Sequence, residues 1–97
     1  MAKKDYFDEI FSNLSKADII AGNLRHEISE TIYNKRIALG MTQEQFAKHM
    51  GVSQGMVSKW ESFSYNFSLE HIAEIFSKLE IDISFKTNDT FEEYTNK

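Results

Sequence analysis

The chain has 97 residues, enough for one domain and too few for a second sizeable core. A hydrophobic share of 41% argues against global disorder, and the lack of cysteine excludes a disulfide scaffold or a thiolate metal site. The net charge is −4, no apolar run approaches the ~18 residues that span a bilayer, and residues 1–6 hold no signal-type apolar stretch, so a cytoplasmic protein is expected.

Along the chain, Tyr6, Phe7, Ile10, Phe11 and Leu14 recur at helical spacing and predict an amphipathic helical segment over residues 1–15. Ser15 with Asp18 three residues on is a helix-start signal. Ile20, Leu24, Ile28 and Ile32 then mark one face of a helix running to about Leu39, with Gly40 as its left-handed C-cap. Gly22 weakens the start of this helix and is where a break would fall. Thr42 and Gln45 form a capping box that opens a second helix at Gln43, and Gly51 ends it. Ser53 caps a third helix through Gln54, Val57 and Trp60. A fourth follows Ser68, with Leu69, Ile72, Ile75, Phe76 and Leu79 as its apolar stripe. Strict alternation through Ile81, Asp82, Ile83, Ser84, Phe85 and Lys86 predicts a β-strand. The chain thus divides into the segment 1–15, a helical domain 16–80, a strand 81–87 and a flexible polar tail 88–97.

The most specific feature is the interval between the second and third helices. Gln43, Ala47, Gly51 and Val57 stand at relative positions 1, 5, 9 and 15. Two short helices crossing through a tight turn need a small residue where they approach, and Ala47 supplies it. The turn needs a left-handed residue, supplied by Gly51. The later helix must bury an apolar residue beneath the turn, which suits Val57. Each requirement is separate, so the joint match is informative.

These residues resemble the lambda-repressor-like (XRE/Cro-type) helix-turn-helix proteins over about residues 32–79. The likeness is carried by Lys35 to Gln43, by Phe46 to Gln54, by Val57 to Glu61, and by Ser68 to Glu70. It implies a mostly α, lambda-repressor-like helical bundle, here with a C-terminal β-strand in place of a fifth helix. That departure resembles the antitoxin-type branch, whose strand pairs with a symmetry mate. A second departure is Phe63, where members commonly carry glycine. The resemblance also implies that Arg36 and Glu61 form a partly buried ion bridge, with Arg36, Ala47, Gly51, Val57 and Glu61 as the structural set.

In such a motif the N-terminal residues of the third helix face base edges. Gln54 has the donor and acceptor for adenine, Lys59 suits guanine or a phosphate, and Met56 suits a thymine methyl. Gly55 reads nothing by side chain but permits close backbone approach, and Ser58 lies one turn on. Gln43 is expected to meet a phosphate and brace Gln54, with Lys35, Thr42, Ser53 and Ser62 as further phosphate contacts. For Ser53 the capping role comes first, and Trp60 is assigned to the core. The charge distribution agrees: residues 35–61 are net +2, while residues 1–34 are −2 and 62–97 are −4.

The expected partners are a double-stranded DNA operator and a second copy, with Ile81, Ile83 and Phe85 as the dimer interface. A strand that covers its own core is the alternative for that segment. The expected function is a dimeric repressor on a palindrome. The alternatives are an antitoxin acting mainly on a toxin or other regulatory protein, and an interaction module of the same fold that does not bind DNA. The three histidines are far apart and read as solvated; no metal, cofactor or enzymatic constellation is expected.

Overall fold

The computed structural model describes residues 14–88. Four helices follow in order: α1 (Lys16–Ala38), α2 (Gln43–Met50), α3 (Gln54–Trp60) and α4 (Leu69–Lys78). The predicted helical segment before Ser15 lies outside the described residues apart from Leu14, which is not helical, and most of the tail lies outside them too.

Every helix starts on a hydroxyl. Ser15, Thr42, Ser53 and Ser68 sit in extended backbone and accept the amide protons of Asp18, Gln45, Met56 and His71. At Ser15 and Thr42 the side chain three residues on returns the bond, completing a capping box that satisfies two free donors at once. Three helix ends share a second device. At Gly51 (φ 73°) the amide donates to the Lys48 carbonyl, and Val52 N–H reaches the Ala47 carbonyl at 2.9 Å. The same double closure recurs at Gly40 and, with a non-glycine residue, at Glu80 (φ 55°).

α1 runs unbroken through Gly22, because the penalty of about 1 kcal/mol for one helical glycine is small against a well-capped helix of 23 residues. Its four-residue stripe enters the core only from Ile28 onward. Ile20 and Leu24, 52% and 45% exposed, stand outside the buried cluster. Ile32 anchors α1 against Phe46, Ala47 and Met50 of α2, Val57 and Trp60 of α3, and Ile75, Phe76 and Leu79 at the far end. Leu69 is 80% exposed, so the α4 stripe begins at Ile72 instead. Lys78 Nζ donates to the Met50 carbonyl at 2.9 Å, which ties α4 to the C-terminal end of α2, where a cation is favoured.

The expected C-terminal β-strand is not formed. Residues 81–88 have no regular structure, and no strand occurs among the described residues. The reason lies at the end of α4. Glu80 turns left-handed, so the Ile81 amide is spent on the Phe76 carbonyl at 2.9 Å and Ile81 folds back onto the core. Alternation supplies a strand's two faces but not its ladder of hydrogen bonds, and no second strand is present among the described residues to provide one. Ile83 and Phe85 are therefore left exposed, at 55% and 83%.

Two buried polar atoms, Ser29 Oγ and Trp60 Nε1, have no hydrogen-bond partner among the described residues. An unpaired buried hydroxyl costs about 1–3 kcal/mol, and alanine is the better helix former. Ser29→Ala is accordingly expected to raise stability by about 1 kcal/mol, seen as a thermal midpoint several degrees higher. A lower midpoint would mean that the hydroxyl is satisfied in the folded protein.

Candidate nucleic-acid interface

The geometry of this face is set from inside the bundle. Arg36, buried on α1, donates from Nε to Glu61 Oε2 at 2.7 Å and from Nη2 to Oε1 at 3.0 Å, while Nη1 donates to the Met41 carbonyl at 2.9 Å. The guanidinium also lies over the Tyr33 ring, 5.3 Å from its centre. The bidentate fork joins α1 to the residue just after α3, and both side chains are about nine-tenths buried. The Glu61 hydrogen bond holds the guanidinium above its ordinary pKa against the opposing effect of burial.

From Glu61 the hydrogen bonds continue outward. Gln43 Nε2 donates to Glu61 Oε1 at 3.1 Å, and Gln54 Nε2 donates to Gln43 Oε1 at 2.7 Å. Four side chains from α1, α2, α3 and its C-cap thus form one chain from the interior to the surface. Between α2 and α3, Ala47 and Val57 are buried, and Gly51 takes the left-handed turn. A side chain at Gly51 would meet only Lys78 Nζ, at 3.6 Å, so the constraint there is backbone sign and not space.

Gln54, Gly55, Ser58 and Lys59 are exposed on α3, while Met56 is half-buried and packs on the core. Thr42 and Ser53 are exposed, and their oxygens are occupied as caps. Lys35 is half-buried on α1. Ser62 directs its proton inward to the Lys59 carbonyl at 2.7 Å, which closes the end of α3. Ile81, Ile83 and Phe85 lie on the irregular segment after α4, apart from this cluster in the sequence and without a helix to hold them.

Sequence reasoning missed the surroundings of Phe63. The residue adopts φ 67°, a conformation that costs a branched or bulky side chain about 1–2 kcal/mol. Its ring stacks on His26 of α1, with centroids 4.5 Å apart and planes 16° from parallel, a contact worth about 0.5–1.5 kcal/mol that offsets the strain. The unusual residue at a glycine-favouring position was the one available signal. Beyond it, Tyr65 and Phe67 pack edge to face at 4.8 Å, near His71, which in turn meets the Trp60 ring. The loop 62–67 is held by aromatics and carries no lysine or arginine. Tyr33, Gln43, Ser58, Glu61, Ser62 and Phe63 line a cleft of about 400 Å³ beside α3.

The helix-turn-helix family model matches residues 32–86, more than half of the chain. The chain belongs to the lambda-repressor-like (XRE-type) helix-turn-helix family. No curated protein and no solved structure matches it. This is a family of DNA-binding regulatory domains and not of enzymes, and it makes DNA the partner. In a helix-turn-helix, the second helix of the motif is the recognition helix, here α3. Among the described residues, no helix is long and apolar enough to cross a membrane, and no three His, Cys, Asp or Glu side chains are grouped to hold a metal ion.

Removing one partner of a buried ion pair leaves an uncompensated charge and costs about 3–5 kcal/mol. Arg36→Ala is expected to lower the thermal midpoint far more than Lys35→Ala, whose cost should stay below about 1 kcal/mol. Equal shifts would show that the Arg36–Glu61 bridge carries no special weight.

Proposed function

We propose that this protein is a sequence-specific, dimeric transcriptional repressor that reads a palindromic operator in the major groove through α3. The observation that carries the reading is the exposed Gln54 amide held by Gln43 at 2.7 Å at the start of that helix. One N–H of Gln54 is tied to Gln43, and its carbonyl oxygen and second N–H remain for the N6 and N7 edge of an adenine. Lys59 takes a guanine edge or a phosphate one turn on, with Ser58 and Met56 beside it. Gly55 lets the backbone approach closely, and Gln43, Thr42, Ser53 and Lys35 face the phosphates, which Ser62 joins by turning its hydroxyl away from the Lys59 carbonyl.

A single face of this size has few charged contacts, so affinity is shared between two copies on successive half-sites roughly 34 Å apart. The exposed Ile83 and Phe85, with Ile81 anchoring their segment to the core, support a contact between copies in that segment. Occupancy of a promoter blocks polymerase, which makes repression in the cytoplasm the output. A second reading, an antitoxin whose α1 also holds a toxin-like partner, is favoured by the exposed apolar side chains of Ile19, Ile20 and Leu24 on α1. Co-purification with the product of a neighbouring gene distinguishes that role from a stand-alone regulator.

Selection from random duplex DNA is expected to return a palindrome, with each half-site containing an adenine placed for Gln54. With Lys35 and Lys59 presented twice, the logarithm of affinity should fall with that of salt at a slope of roughly −4. Enrichment of no sequence, with no duplex binding at low salt, would favour the interaction module that lacks DNA.

A second prediction separates fold from readout at Gly55. In the free protein an added Cβ meets only Ser53 Oγ, at 3.9 Å, so Gly55→Ala is sterically allowed there. It should stabilise α3 by about 0.5–1 kcal/mol and yet weaken binding to the selected duplex. Unchanged or tighter binding would remove close backbone approach from the account.

A further inference from the structure

We infer that Glu61 is a specificity-setting positioning residue: its carboxylate dictates which way round the Gln54 amide faces the DNA. The inference rests on the adenine-reading role proposed for Gln54 and assigns the origin of that residue's orientation.

A side-chain amide has a donor end and an acceptor end of nearly equal shape, so an isolated glutamine presents either order to a base. A carboxylate only accepts. Glu61 Oε1 lies 3.1 Å from Gln43 Nε2, so Gln43 must turn its NH2 inward and its oxygen outward. That oxygen lies 2.7 Å from Gln54 and accepts from it, so the Gln54 NH2 is fixed on the side of Gln43. The polarity passes through two amides without a free choice at either. Glu61 itself cannot swing away, because the Arg36 fork holds both of its oxygens. Tyr33 and the Met41 carbonyl hold the guanidinium in turn. The chain borders the cleft beside α3, and closing that face against a duplex removes water that would compete for these bonds.

A residue that merely supports the fold would affect all sequences alike. Glu61 should affect one base pair. The test measures binding of wild type, Glu61→Gln and Arg36→Lys to three duplexes: the selected operator, the same operator with the Gln54-facing A·T pair replaced, and an operator changed at a pair facing Lys59. In Glu61→Gln the new amide offers both donor and acceptor, so Gln43 is released to flip. Discrimination at the A·T pair is expected to fall by about tenfold, the scale of one bidentate base contact, while discrimination at the Lys59-facing pair persists. Arg36→Lys keeps the carboxylate but gives up the fork that holds it, so it should lower the thermal midpoint and weaken A·T discrimination less than Glu61→Gln does, with the Lys59-facing pair unaffected.

Should Glu61→Gln fail to fold, Gln43→Met interrupts the relay with the ion pair intact and is expected to lose the same single-pair preference. Undiminished A·T preference in Glu61→Gln or, where that variant does not fold, in Gln43→Met would overturn the inference, as would losses that simply follow the melting temperatures. A wild-type protein with no base preference at all would overturn the operator-reading function itself, and the inference with it.

Discussion

The Arg36–Glu61 ion pair is the contact on which the proposed recognition surface depends. It costs desolvation of two charges, and in energetic terms a pair of well-packed apolar residues would serve as well. What apolar residues would not supply is direction. The guanidinium fork fixes the carboxylate, and the carboxylate then fixes the glutamine that spans α2 and α3. A buried charge pair used in this way orders a polar surface that packing alone leaves free.

The rest of the scaffold brings these residues within reach. Ala47 and Val57 let α2 and α3 pack closely, Gly51 turns the chain between them, and Lys78 ties α4 to the end of α2. The candidate interface that results is poor in charge. Its loop 62–67 is braced by aromatic rings where a basic loop would add phosphate affinity, and the flanks of the protein are acidic. The proposed readout therefore leans on hydrogen-bond geometry and on the spacing of two copies more than on bulk electrostatic attraction.

Much of this was legible in the sequence because local chemistry specifies it. Ser15, Thr42, Ser53 and Ser68 cap helices through bonds made within three residues, and Gly40 and Gly51 mark ends whose backbone sign favours glycine. The alternating segment 81–86 forms no strand for the converse reason. Alternation is local, but a ladder needs a partner, and the left-handed turn at Glu80 gives no compositional warning. Nor does the pattern of α1 reveal which part of its stripe is buried, since Ile20 and Ile32 are the same residue type with opposite exposure. In the candidate site, the resemblance to helix-turn-helix proteins implied the Gln43–Gln54 contact and the ion pair. The bond that joins those two features, from Gln43 to Glu61, depends on the three-dimensional approach of residues 18 positions apart. The His26–Phe63 stack is likewise a product of tertiary packing.

The most direct test of the account is to follow backbone and glutamine side-chain amide resonances of the isotope-labelled protein during titration with its selected duplex. The largest shifts are expected on residues 42–43 and 53–59, with the Gln43 and Gln54 side-chain amides among them and α1 upstream of Ile28 unmoved. Shifts confined to α1 upstream of Ile28, or spread evenly without a focus at the start of α3, would contradict this reading.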